Sequence, residues 1–195
     1  MGRASRAVAD QHHRQLIEAA ARLFRERDLG AVSVPDVMGE IGLTRGGFYK
    51  HFESKDALVA AAVKQAFAEH LERLDAFSEA HDHDPIATRQ AFVDFCLSFA
   101  HRDNPGDGCP SAFASGISRT EPGSAPRSAY TEGMRTLLDV LAERTATDEA
   151  DAAVQRERII CDFSILVGAL LLARATAGDA LSEEFLAAAR DRLNQ

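Results

Sequence analysis

The feature that most constrains this chain is a pair of helical segments too short to stand alone. Val34, Val37, Met38 and Ile41 recur at i, i+3, i+4 and i+7, which places them on one face of a helix. The pattern stops at Gly42, and Thr44 caps a second segment, about Arg45 to His51, almost at once. Isolated helices shorter than about 12 residues are marginal in water, so two such pieces persist only when packed together and against a neighbour. Upstream, Leu16, Ile17, Ala20, Leu23 and Phe24 stripe a helix predicted from about Asp10 to Leu29, with Gly30 as its stop. Ser33 is placed to cap the second helix, with Asp36 three residues on in a variant capping box. Two short helices joined by a tight glycine turn have the spacing of a helix-turn-helix, whose second helix enters the major groove of duplex DNA.

Helical spacing continues to the end of the chain. Ser54 caps a long fourth helix with the stripe Leu58, Ala62, Phe67, Leu71 and Leu74. Asp84-Pro85 opens a fifth, with Phe92, Phe95, Cys96 and Phe99 on one face. A short helix near Ser111 to Ser118, another from about Pro126 to Arg144, a long one from Asp148 to about Ala177, and a last one capped by Ser182 complete nine. No segment alternates as a strand does, so the expected class is all-α. The motif suggests a first domain over residues 1–54 and a second over 55–195.

The net charge of −8 argues at first against a nucleic-acid partner, because phosphate binding needs cations. The distribution matters more. Residues 1–56 carry nine Lys/Arg against eight Asp/Glu, whereas 57–195 carry thirteen against twenty-two. The acidity therefore sits in the second part, leaving the first free to present a local basic face. The longest apolar run, Phe163 to Ala173, is about half of what a spanning helix needs, so no membrane partner is expected. The first residues carry charge with no apolar stretch behind them, so no secretory signal is expected. Three scattered cysteines fit a reducing, cytoplasmic setting.

The second short segment has an unusual surface. Arg45, Gly46, Gly47, Tyr49, Lys50 and His51 are small, polar or aromatic, while Phe48 and Phe52 are left to anchor it. Paired glycines weaken a helix by about 1 kcal/mol each, which close backbone approach to DNA would offset. The stretch from Val34 to Leu58, above all Gly46-Gly47-Phe48-Tyr49-Lys50-His51-Phe52 followed by Ser54-Lys55, strongly resembles the DNA-binding signature of TetR/AcrR-family transcriptional regulators. The resemblance covers about residues 10–60. Gly39 departs from the small helix former usual there. The resemblance implies that Thr44, Arg45 and Gly46 sit next to base edges or phosphates, with Arg45 suited to a bidentate guanine contact. It implies phosphate contacts for Tyr49, His51 and Lys55, either role for Lys50, and a phosphate contact for Ser33. Arg3 and Arg6 fall in an arm that would reach the backbone or minor groove.

One helix-turn-helix makes few contacts, so specific binding to a palindromic operator calls for a homodimer. Ile159, Ile165, Leu166, Ala169, Leu170 and Leu172 belong to a helix too apolar all round to have a wet face, and Phe185, Leu186, Ala189 and Leu193 supply a partner stripe. The resemblance implies a four-helix interface built from two such pairs. It also implies a small-molecule effector enclosed by the middle helices. The candidate lining is Phe67, Leu71, Phe92, Cys96, Phe99, Cys109, Phe113, Ile117, Met134, Leu138 and Phe163, with Arg119, Tyr130 and Arg135 as polar anchors. Such a lining suits an apolar or aromatic molecule that releases a repressor from DNA.

Cys109 follows Gly106-Asp107-Gly108 and precedes a short helix, a setting that favours a thiolate and suggests access. An oxidant- or electrophile-sensing repressor acting through Cys109 is therefore an alternative. More distant ones are an enzyme pairing Cys109 with His101, for which no spacing argues, and an all-α protein-interaction module. His81-Asp82-His83-Asp84 and His12-His13 lack the spacing of a four-ligand metal site, so no metal and no cofactor are expected.

Overall fold

The computed structural model describes residues 2–145 and 152–194, and among the described residues all regular structure is helical. Among the described residues nine α-helices follow one another: α1 (Gly2–Arg27), α2 (Val34–Glu40), α3 (Lys55–Ala80), α4 (Pro85–Cys96), α5 (Phe99–Asp103), α6 (Ala114–Ser118), α7 (Ala125–Thr145), α8 (Ala152–Ala175) and α9 (Ala180–Leu193). Three 3-10 stretches, Arg45–Lys50, Pro105–Asp107 and Pro110–Phe113, lie between them. The start expected for α8 at Asp148 falls outside the described residues. The chain forms two compact units, Met1–Ala68 with Gly106–Gly133, and Glu69–Pro105 with Met134–Gln195. They do not follow a single cut after residue 54.

The first unit is built on α1. Leu16, Ala20, Leu23 and Phe24 are buried along one face, together with Val37 and Met38 of α2. α1 starts at Gly2, earlier than its stripe predicts, so the backbone expected to be an arm at Arg3 and Arg6 is helical. The side chains of Arg3 and Arg6 lie outside the described residues. Its end is set by Asp28 rather than Gly30. Asp28 adopts φ 72°, and its carboxylate accepts the Gly30 N–H at 2.9 Å. Aspartate tolerates this left-handed region because its short side chain can bond the nearby backbone.

The capping box of α2 forms as its sequence predicts. The Asp36 N–H donates to Ser33 Oγ at 3.3 Å, and the Ser33 N–H donates to the Asp36 carboxylate at 2.7 Å. At the other end Gly42, at φ 69°, lets the Leu43 N–H reach the Met38 carbonyl at 2.9 Å while its own N–H reaches Gly39 at 3.1 Å. This double closure satisfies the last carbonyls and turns the chain. The next segment winds as a 3-10 helix: Gly47 N–H donates to Thr44 O at 2.9 Å, and His51 N–H to Phe48 O at 2.8 Å. Two glycines remove most of the advantage of α winding, and 3-10 geometry is found in short pieces of this kind. Phe48 and Phe52 are buried beneath it, their rings 5.9 Å apart. Ser54 caps α3 by accepting the Ala57 N–H at 3.1 Å.

The helix expected at 111–118 is a 3-10 turn, Pro110–Phe113, running into α6. Arg127 closes α6 by donating to the carbonyls of Ile117 at 3.2 Å, Ser118 at 2.7 Å, and Thr120. On α7, a Cβ at Gly133 would fall on the ring of Phe67, so the absent side chain sets the helix approach there.

In the second unit Asp84 caps α4 as expected, accepting the Ala87 N–H at 2.7 Å. The chain then breaks at Leu97 and restarts as α5, where Ser98 Oγ accepts the His101 N–H at 3.1 Å. Carbonyls freed at these ends are taken by distant arginines: Arg174 donates to His101 O at 2.7 Å and Arg102 O at 3.1 Å, and Arg190 to Leu97 O at 2.8 Å. The cap of α9 is Asp179, not Ser182. Ser182 lies one turn inside, buried, and donates to Ala173 O at 2.7 Å, which ties α9 to α8.

Candidate nucleic-acid interface

The 3-10 segment presents two faces. Phe48 points inward, while Thr44, Gly46, Tyr49 and Lys50 are exposed. Thr44 sits at the N-cap, but its hydroxyl makes no capping bond. Tyr49 is 67% exposed and stands edge-on to Phe48 at 5.3 Å. Gly47 is half-buried over Met38. The Arg45 backbone opens the segment, and its side chain lies outside the described residues. His51 is half-buried at the far end. Burial lowers its pKa first, followed by repulsion from His13, His12 and Lys50.

Two expected phosphate contacts have internal partners. Ser33 Oγ lies 2.6 Å from the Asp36 carboxylate and donates its proton there. The same bond, with that from the Ser33 backbone, holds the Asp36 carboxyl below the usual range. Lys55 donates to the Leu29 carbonyl at 2.7 Å and lies over the Phe24 ring, so it fastens the start of α3 to the end of α1. An ammonium has three donors, and this contact uses one.

The expected effector lining divides between the two units. Phe67, Cys109, Phe113 and Ile117 are buried in the first. Phe92, Cys96 and Phe163 are buried and Leu71, Met134 and Leu138 half-buried in the second, while Phe99 is 53% exposed, with the Arg102 guanidinium 4.9 Å over its ring. Within the second unit Phe92, Val93, Leu141, Phe163 and Leu166 surround a cavity of about 30 Å³, room for about one water. At its rim Arg89 pairs with Asp162 at 2.9 Å. This pair joins residues far apart in sequence, so spacing did not mark it. Of the anchors, Arg119 pairs with Asp28 at 2.6 Å, and Tyr130 packs on Phe67 at 5.5 Å. Burial, then the neighbouring Cys109, raises the Tyr130 phenol pKa. Arg135 is exposed.

The access expected at Cys109 does not exist: the residue is 3% exposed, and its Sγ accepts the Ser111 N–H at 3.4 Å. The flanking Gly106 and Gly108 are buried too, packed rather than open. Seven of the ten expected dimer residues also face inward. Ile159, Leu166, Ala169, Leu170, Leu186, Ala189 and Leu193 are buried, Ile165 and Phe185 are half-buried, and Leu172 is 49% exposed. Ile160, which belongs to the same expected apolar helix, is exposed as well, as are Leu171 and Leu181, which were not singled out from sequence. An all-apolar helix gives no periodic clue to which side faces its own core. Among the described residues no group could hold a metal ion, and no helix is long and apolar enough to cross a membrane.

Residues 16–62 match the family model for bacterial regulatory proteins of the tetR family. The regulator TtgR of Pseudomonas putida is 35% identical over 83 residues, 43% of this chain and 34% of that protein. The repressor KstR2 of Rhodococcus jostii is 42% identical over 45 residues, 23% of this chain and 22% of its own. The matched stretch thus spans about a third or less of these relatives. A TetR transcriptional regulator from Chloroflexus aurantiacus superposes with TM-score 0.68 at 27% identity, over 95% of this chain and 93% of that one. The capped α2, the glycine turn and the exposed segment after it lie within the matched stretch, so residues 16–62 form a domain of the tetR regulatory type and the chain is similar to TetR-family regulators in fold.

Proposed function

We propose that the chain is a homodimeric repressor that binds a palindromic DNA operator and leaves it when a small apolar or aromatic molecule binds. Residues 1–54 carry the DNA contacts, and 55–195 carry the effector and dimer contacts. The observation that carries this reading is the face made by Thr44, Gly46, Tyr49 and Lys50 on a segment whose other side is anchored by Phe48. A tyrosine left 67% exposed gains little from folding and is placed for an external partner. Arg45 reads guanine. Gly46 and Gly47 admit the backbone of the segment close to the groove. Tyr49, Lys50 and His51 hold phosphates, which sets register without reading sequence. Lys55 acts mainly by fixing the start of α3, and Ser33 by ordering α2.

Self-association is supported by the exposed Ile160, Leu171, Leu172 and Leu181, which a second copy of α8 and α9 would cover. The effector reading is supported by the apolar cavity beneath Arg89 and Asp162. At about 30 Å³ it must open to admit a molecule of ordinary ligand size, which couples binding to movement. Selection of bound duplexes from a random pool tests the whole reading. The expected product is an inverted repeat whose half-sites lie about one helical turn apart. Affinity should fall steeply with salt, Arg45→Ala should relax base preference, and Lys50→Ala should weaken all sequences alike. Failure to retain any duplex at about 50 mM salt would overturn it.

A further inference from the structure

A groove of about 580 Å³ runs between α1 and the end of the 3-10 segment, lined by Val8, Asp10, His12, His13, Lys50 and His51. Three imidazoles meet there. The ring of His51 lies 6.5 Å from His12 and 6.0 Å from His13, and His13 stacks on Phe52 at 4.7 Å. All three histidines are half-buried, and Lys50 is exposed beside them. α1 contributes Asp10 as the one carboxylate among the groove's lining residues, and the 3-10 segment contributes Lys50. The side chains of Arg3, Arg6 and Arg45 lie outside the described residues.

We infer that this groove is a protonation-gated site for a backbone phosphate of duplex DNA, held by His12 and His13 together with His51 and Lys50. The inference rests on the DNA-binding reading and adds two residues and a pH dependence to it. A neutral imidazole has one N–H donor, and a protonated one has two and a charge. Without a ligand, protonating all three beside Lys50 packs cations together. Burial and these same neighbours already push His51 down. A phosphodiester keeps its single negative charge through the histidine range, so it supplies the missing counter-charge. Each imidazole that it contacts then has a higher pKa in the complex than in the free protein. The contribution to binding is full below the free pKa and is lost as pH rises through the bound one.

The test uses the full chain and a fluorescein-labelled duplex recovered by random-pool selection, with affinity read by anisotropy at constant ionic strength. Wild type should bind about tenfold more tightly near pH 6 than near pH 8, the range in which histidine titrates. The double variant His12→Gln/His13→Gln should reduce that ratio to below about twofold. His13 supports Phe52, so helix content is followed at both pH values, and His12→Gln alone, which leaves that stack intact, should give an intermediate ratio. Duplex should also shift the ring proton resonances of His12 and His13 near pH 6. Duplex binding by wild type with a flat profile, or a double variant that keeps the wild-type ratio, overturns the histidine site and leaves the DNA-binding reading standing. No binding by wild type at either pH sinks both.

Discussion

The segment from α1 to the start of α3 and the segment from α4 to α9 finish their helices in different ways. In the first, the residues that close an end are close in sequence: Ser33 with Asp36, Gly42 with Met38 and Gly39, Ser54 with Ala57. In the second, several ends are closed from afar. Arg174 reaches carbonyls 72 and 73 residues away, and Arg190 reaches one 93 away. Local caps form as soon as the helix forms, whereas an arginine cap exists only once the unit has assembled. The helix ends around the exposed 3-10 face are thus closed mainly by local sequence, and several of those in the rest of the chain by the assembled fold.

The largest test of this contrast is Phe48→Ala. The 3-10 segment has too few internal bonds to hold itself, and Phe48 is its deepest anchor at 1% exposure. Loss of about 3–5 kcal/mol of stability is expected, measured by urea denaturation. A loss near zero would mean that the turn alone orders the segment. Arg174→Met comes next. It leaves the His101 and Arg102 carbonyls without that donor, at an expected cost of about 1–3 kcal/mol. If α5 keeps its hydrogen-exchange protection in this variant, distant capping is not what holds it.

Ser33→Ala probes a local cap, with an expected loss of about 1 kcal/mol at neutral pH. Its pH dependence has a definite sign. Ser33 holds the Asp36 carboxyl below its ordinary value. The stabilisation is therefore complete above the usual carboxylate range and disappears as pH falls through the lowered value. The gap between wild type and variant should narrow in acid to what the Asp36 N–H bond to the hydroxyl contributes. A gap that stays constant with pH would place the cap's contribution in the Asp36 N–H bond alone, with none from the carboxylate.

The same contrast decides what could be read from sequence. Ser33, Asp36, Gly42, Ser54 and Asp84 announced their roles because each acts within a few residues. Asp28 displaced Gly30 as the end of α1, and Asp179 displaced Ser182 as the cap of α9, because several polar or small residues near a helix end are locally competent and tertiary packing selects among them. The break at Leu97 carried no glycine or proline to mark it. The outward side of α8 was hidden because apolar residues occupy the whole circumference, so Ile160 and Leu171 looked no different from Ile159 and Leu170. The exposed face of the 3-10 segment was legible for the opposite reason. A run of glycine and polar residues over two buried phenylalanines leaves one arrangement open.

Gly39 sharpens the local side of the comparison most finely, because the expected change is small and favourable. It lies within α2, exposed, and a Cβ built there meets nothing within 4 Å. Its backbone is on the ordinary side of φ, unlike Gly42. Gly39→Ala should therefore restrict the unfolded chain without straining the folded one and raise stability by about 0.5–1 kcal/mol, seen as a higher urea midpoint at unchanged slope. Gly42→Ala, three residues on, should do the reverse, since its left-handed backbone carries the turn that delivers Thr44 to the surface. If both substitutions shift the midpoint in the same direction, the turn is not fixed by local conformation, and its order must come from packing, as it does around α5.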